Sequence, residues 1–171
     1  MHLAGWNWED AAVKVDDGIH LNWPSSVQTG GWRSKPSDTK RSEQYEENKR
    51  KINLFFESAK AYAERGDNEL PELRYEAMKD LFTGTKRLYI HANEVQQLLD
   101  IIEFSRAQGI KFPVIVGGYD AYLITERLRD SKIPVMLPRL HSLPQNEDDP
   151  VDLPYQLPAL LYKGQVKFCL Q

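Results

Sequence analysis

The stretch Lys86–Gly118, KRLYIHANEVQQLLDIIEFSRAQGIKFPVIVGG, decides the fold. In RLYIHA, Leu88 and Ile90 alternate with Arg87, Tyr89 and His91, the period of a strand with one apolar face. Val95, Leu98, Leu99, Ile102 and Phe104 then recur at helical spacing, and Gly109 closes the run as a helix C-cap. Asn93 with Gln96 three residues later has the form of a capping box. FPVIVGG is a second strand, almost wholly apolar. Strands of that kind, separated by one helix, belong in a parallel sheet covered on both faces.

The same rhythm extends in both directions. After Gly117 and Gly118 comes a helix holding Leu123, Ile124 and Leu128, then the strand IPVMLP at 133–138. Pro138–Pro158 reads as a long loop, followed by a short helix around Ala159–Tyr162, Gly164, and a last strand VKFCL at 166–170. Towards the N-terminus, GIHLNW at 18–23 alternates Ile19, Leu21 and Trp23 with His20 and Asn22. A helix is expected over about Gln44–Arg65, with Ile52, Phe55, Phe56, Ala59, Tyr62 and Ala63 on one face, and another over Pro71–Phe82. Pro24–Ser42, rich in Ser, Gly, Pro and charge, reads as a mobile surface loop. Trp6, Trp8, Trp23 and Trp32 suggest an aromatic cluster near the start.

The chain is therefore expected to be one α/β domain over residues 1–171. A complete (β/α)8 barrel runs to about 250 residues, whereas roughly five strands are legible here. VKFCL has no helix after it, and no βα unit precedes the first strand. The reading is a partial (β/α)8 TIM barrel, roughly its second half, cut from a longer chain. A short open sheet is the alternative architecture.

Totals narrow the partners. A net charge of −3 provides no basic footprint for nucleic acid. Cys169 is the only cysteine, so an intrachain disulfide and a cysteine-based zinc site are both excluded, and a reducing compartment is favoured. No apolar run approaches the ~18 residues of a membrane span, and MHLAGWNWEDAA is not signal-like. No membrane partner is expected. The localisation expected is cytoplasmic, or periplasmic if a leader has been removed.

In parallel α/β folds, reactive groups sit at the C-terminal ends of strands. The candidates there are His20, Asn22, Tyr89, His91, Asn93, Glu94, Gly117, Gly118, Arg139 and His141. Parity puts Leu88 and Ile90 towards the helices and leaves Arg87, Tyr89 and His91 on the other face; the same rule joins His20 and Asn22 to them. Taken from spacing alone, His91 reads more simply as a hydrogen-bonding residue at a strand end, His20 and His141 still more so, and Asn93 as a helix N-cap. Gly117–Gly118 precedes a helix, but neither Gly-x-Gly-x-x-Gly nor a P-loop accompanies it, so a nucleotide-binding domain is set aside. The acidic run NEDDPVD at 146–152 lacks calcium-loop spacing and reads as a solvated loop.

AGWNWED, GIHLNWP, the long segment from IHANEVQQ through VIVGGYDAY to PVMLP, and DDPVDLPYQLPALLYKGQVKFCL together resemble the metal-dependent amidohydrolases related to imidazolonepropionase. The resemblance covers most of the chain outside 24–42. It implies that RLYIHA, VIVGG, PVMLP and VKFCL are strands five to eight of a (β/α)8 barrel. The implied chemistry is hydrolysis of C–N bonds other than peptide bonds, often in cyclic amides of small-molecule substrates. One or two divalent metals, zinc foremost, would polarise the carbonyl and bring a bound water to a pKa near 7. Family ligands are a His-x-His pair after strand one, histidines after strands five and six, and an aspartate after strand eight. His91 matches the strand-five histidine, making it the candidate metal ligand. His20, Asn22, Tyr89, Glu94, Gly117, Gly118, Arg139 and His141 would line the pocket. There is no His-x-His here, and Gly117–Gly118 stands where the strand-six histidine belongs.

A single imidazole cannot hold a hydrolytic zinc, which takes about three protein ligands and an open position. The chain alone is thus expected neither to bind metal tightly nor to hydrolyse amides. A part-barrel exposes its sheet edges, so association with the rest of the barrel or with itself is expected. The rival reading is a non-catalytic α/β binding or assembly module with a degenerate metal site.

Overall fold

The computed structural model describes residues 7, 9, 12, 14–25, 38–65, 71–146 and 148–171, with backbone alone at 38–42. The elements are β1 (Gly18–Asn22), α1 (Asp38–Ala63), α2 (Leu73–Glu76), α3 (Lys79–Thr83), β2 (Arg87–Ala92), α4 (Val95–Gln108) and β3 (Pro113–Gly117). A short 3-10 helix (Tyr119–Ile124) leads into α5 (Thr125–Ser131), followed by β4 (Val135–Leu137), α6 (Leu153–Lys163) and β5 (Phe168–Leu170).

The five strands form one sheet in the order β1-β2-β3-β4-β5, and every pairing is parallel. A doubly wound sheet reverses its strand order at a switch point. This one never reverses. Since parallel crossovers are right-handed, crossovers that all step in one direction put their helices on one face, the winding of a (β/α) barrel wall. An α/β partial-barrel fold is therefore observed.

The core lies between that wall and its helices. Leu88, Ile90, Ile115, Val135 and Leu137 from the strands are buried against Leu98, Ile101, Leu128 and Leu161 from the helices. Trp23 extends the β1–β2 ladder by donating its backbone N–H to the His91 carbonyl at 3.1 Å. Its ring meets Phe104 edge-on at 5.1 Å, and Phe104 meets Phe56 at 4.9 Å. Trp23 Nε1 donates to the Tyr45 hydroxyl at 3.1 Å, and that hydroxyl donates to Asp100 Oδ2 at 2.6 Å. Burial and the adjacent Asp100 carboxylate both push the Tyr45 phenol up, so it stays a donor. This polar chain ties α1 and α4 to the end of β1. Trp6, Trp8 and Trp32, the other members of the expected aromatic cluster, lie outside the described residues.

Several boundaries differ from the sequence reading. The capping box that opens α4 is Glu94 with Gln97, one residue later than Asn93 with Gln96. Gln97 Oε1 accepts from the N–H groups of Asn93 at 3.0 Å and Glu94 at 3.1 Å, while Asn93 is drawn into the turn after β3. Pro71–Phe82 is two short helices, because Met78 N–H bonds the Tyr75 carbonyl and Leu81 N–H the Met78 carbonyl, tightened three-residue turns that break the run. Residues 38–42, read as loop, already belong to α1; 26–37 of that loop lie outside the described residues. The expected short helix near Ala159 begins at Leu153, where Pro154 suits a first turn that needs no N–H partner; the helix also keeps Pro158 inside it. Among the described residues no helix is long and apolar enough to cross a membrane.

Ile115 is fully buried whereas Leu123 is 58% exposed. Chemical denaturation should show Ile115→Ala losing about 2–5 kcal/mol and Leu123→Ala staying within about 0.5 kcal/mol of the parent.

Candidate functional site

The strand face turned away from the helices carries the chemistry. Successive pairings put Asn22, His91, Val116, Met136 and Cys169 in one row across the sheet near the C-terminal ends of the strands. One layer below, His20 pairs with Tyr89 and Tyr89 with Val114. Polar groups crowd onto β1 and β2, while β3 and β4 supply Val116 and Met136, and β5 an exposed thiol.

His20 Nδ1 and His91 Nε2 lie 2.9 Å apart, so one ring nitrogen donates and the other accepts. The His20 ring stacks on Tyr89, centroids 4.9 Å apart and planes 16° off parallel. Tyr89 in turn donates its hydroxyl to Asp17 Oδ2 at 2.5 Å. Gly18 makes that ring position possible, since an added Cβ there would come 2.7 Å from the Tyr89 ring. Arg87 Nη1 donates to both Asp17 oxygens, at 2.8 and 3.0 Å, and Lys14 Nζ stands 3.0 Å from Oδ1. A continuous line of contacts therefore runs from Asp17 at the foot of the sheet, through Tyr89 and His20, to His91 near the mouth.

The Tyr89 hydroxyl, then the Lys14 and Arg87 cations, hold the Asp17 carboxyl far below the usual carboxylate range. Burial first and Asp17 second push the Tyr89 phenol up. Burial first, then the coulombic effect of the neighbouring His20, pushes the His91 imidazole down, which favours its neutral form.

Other candidate positions have different surroundings. Glu94 serves as the N-cap of α4 and accepts from Ser25 Oγ at 2.9 Å. Gly117 and Gly118 are both left-handed, at φ 104° and 67°. A Cβ on Gly117 would lie 2.5 Å from Asn93 Oδ1, and one on Gly118 would lie 2.8 Å from Val135 Cγ1. Gly118 N–H donates to the Ala92 carbonyl at 2.7 Å and Asp120 N–H to the Asn93 carbonyl at 2.9 Å. Backbone meets backbone here, and no side-chain donor fits. Arg139 is exposed after β4, and His141 sets its ring against Tyr155 of α6 at 5.5 Å. Neither joins the His20–Tyr89–His91 contacts.

Two carboxylates escaped the sequence reading. Asp17 bonds Tyr89 across 72 residues, a separation that no local pattern reveals. Asp120, following the two glycines, accepts from Val95 N–H at 3.2 Å, and burial pushes its carboxyl up.

Among the described residues no group of three or more His, Cys, Asp or Glu could hold a metal ion. His20 and His91 bring two nitrogens together where a hydrolytic zinc needs about three protein ligands. The described residues do not by themselves fit that metal, and no step is derived through it.

Among solved structures, the chain is similar to the crystal structure of an amidohydrolase from Thermotoga maritima MSB8, with a TM-score of 0.73 and 19% sequence identity. The match covers 98% of this chain and 44% of that one, so the chain spans less than half that neighbour's length. Likeness at this identity establishes a shared, amidohydrolase-like fold. No family model matches the chain, and no curated protein does.

Asp17→Asn tests the anchor. It should cost about 1–3 kcal/mol at pH 7, the lower part if solvent screens the half-exposed Arg87. Because the folded-state pKa of Asp17 lies below its unfolded value, its contribution is full above about pH 5 and fades as pH falls below about 4. Urea midpoints should therefore drop less steeply between pH 5 and pH 2 in the variant than in the parent.

Proposed function

We propose that this chain forms roughly the second half of an amidohydrolase-type (β/α)8 barrel, related to imidazolonepropionase. In the complete barrel it would help hydrolyse a C–N bond other than a peptide bond, of the cyclic-amide kind, in a small-molecule substrate. The observation that carries the reading is the His20–His91 contact of 2.9 Å, on the sheet face and near the strand ends where such barrels keep their sites. The sequential parallel sheet and the amidohydrolase-like fold support it.

In this reading His91 supplies a neutral imidazole within the substrate pocket. It takes a proton from the water that attacks the amide carbonyl and returns it to the leaving nitrogen, the work of a general base and then acid. His20 shares the proton, and Tyr89, anchored by Asp17, holds the His20 ring in plane. Asn22, in register with His91, faces the substrate. Any divalent metal of the complete site, zinc by the resemblance, would take its remaining ligands from outside the described residues. The chain alone is inactive in this reading, and its open β1 and β5 edges pair with the rest of the barrel or with a second copy.

The Gly117–Gly118 turn favours a second reading, a non-catalytic binding or assembly module, since it has no space for a strand-six ligand.

Ring opening of lactams, hydantoins and imidazolones, followed by chromatography, separates the two. The 171-residue chain should open none of them. The product of the full reading frame that encodes it should open at least one, and His91→Ala should lower that rate by about 100-fold or more. Binding of such rings by the full product without turnover would support the assembly module instead.

A further inference from the structure

The row of side chains across the mouth changes character along its length. Asn22 and His91 stand at its β1–β2 end, and Val116 and Met136 continue it on β3 and β4. Ile115, Val135 and Leu137 are buried against the helices, so alternation along each strand turns Val116 and Met136 to the other face, with His91. Val116 is buried and Met136 half-buried, which makes the thioether the part of this pair with surface to offer. Neighbouring strands lie about 4.8 Å apart, so two steps put Met136 roughly 10 Å from His91. That is the span of a small ring carrying one further group.

The backbone donors at the exit of β3 are already engaged. Gly118 N–H donates to the Ala92 carbonyl, Tyr119 N–H to Asn93 Oδ1 and Asp120 N–H to the Asn93 carbonyl. The Asp120 carboxylate accepts from Val95 N–H at the start of α4, and Arg139 is exposed two residues beyond β4. A charged or hydrogen-bonding group laid against Val116 and Met136 would lose water without gaining a partner from either side chain. A hydrocarbon group gains by the same transfer. The unbranched Met136 side chain adapts its shape to such a group, and its sulfur makes favourable contacts with aromatic rings.

We infer that the substrate of this site carries an uncharged hydrocarbon substituent, alkyl or aryl, and that Met136, backed by Val116, selects for it. The amide edge of the ring meets Asn22 and His91, and the substituent extends along the row towards β4. The division of the row into a polar and an apolar end thus sets which way round the ring binds. This deepens the proposed function and rests on reading that strand face as the substrate pocket.

The test measures binding, which needs no turnover. The product of the full reading frame is titrated calorimetrically with hydantoins bearing hydrogen, isobutyl, benzyl, carboxymethyl or aminobutyl at one ring carbon. The isobutyl and benzyl rings should bind about tenfold or more tightly than the unsubstituted ring, and the two charged rings no more tightly than it. Met136→Gln keeps the side chain's length but adds a polar amide, and should cut the hydrocarbon preference by about fivefold or more. Met136→Ala only shortens a half-buried side chain and should cut it likewise, so one variant serves if the other fails to fold. Met136→Leu, close in volume and apolar, should keep the preference. Equal affinity for all the rings, tighter binding of a charged ring, a preference that survives Met136→Gln and Met136→Ala, or no binding at all overturns the inference. Rings bound with this preference yet never opened would sink the proposed hydrolysis and leave the inference standing.

Discussion

The parallel register of β1 on β2 is the constraint on which the rest depends. It sets Gly18 beside Arg87, His20 beside Tyr89 and Asn22 beside His91, and a slip of one residue would turn all of them into the helical layer. Leu88 and Ile90 hold the register from the opposite face, since both are wholly buried and cannot exchange places with polar neighbours. Burial on one side of the strand thereby fixes geometry on the other. The His20–His91 contact follows from how the helices pack.

A second constraint acts at the exit of β3. The two glycines let the chain turn sharply, so that Gly118 and Asp120 bond the carbonyls of Ala92 and Asn93 at the end of β2. That clamp costs the site a side chain, because left-handed backbone and close contacts leave no space for one. The chemistry of the described residues is consequently concentrated on two strands, and the β3–β4 part of the wall is apolar. Asp17 has a related role at the opposite end. Its carboxylate gathers a phenol and two cations, and the phenol it holds carries the stacked imidazole.

Much of the fold was legible because burial leaves a periodic trace. RLYIHA matched its observed strand at both ends, and the other strands were displaced by only one or two residues at an end. The misses were of another kind. Asn93 suits an N-cap by residue type, yet Glu94 holds that place, and Asn93 is engaged by the turn after β3 instead. Prolines at 154 and 158 looked like loop residues, yet α6 contains both. The interior position of His20, Tyr89 and His91 was legible from parity, but the partnership of Asp17 was not, because hydrogen bonds between distant residues leave no period in a sequence.

By itself the sequence determined most of the element types, the helix-facing and inward-facing sides of β1 and β2, and the absence of a glycine-rich phosphate loop. These depend on residue spacing, which local backbone geometry converts directly into direction. Tertiary structure decided the strand order, the 2.9 Å approach of His20 to His91 and the anchoring of Tyr89 by Asp17. It also decided that the glycine pair excludes a ligand. Each of these depends on which strand lies beside which, and that is settled only when the helices pack and the sheet closes its register.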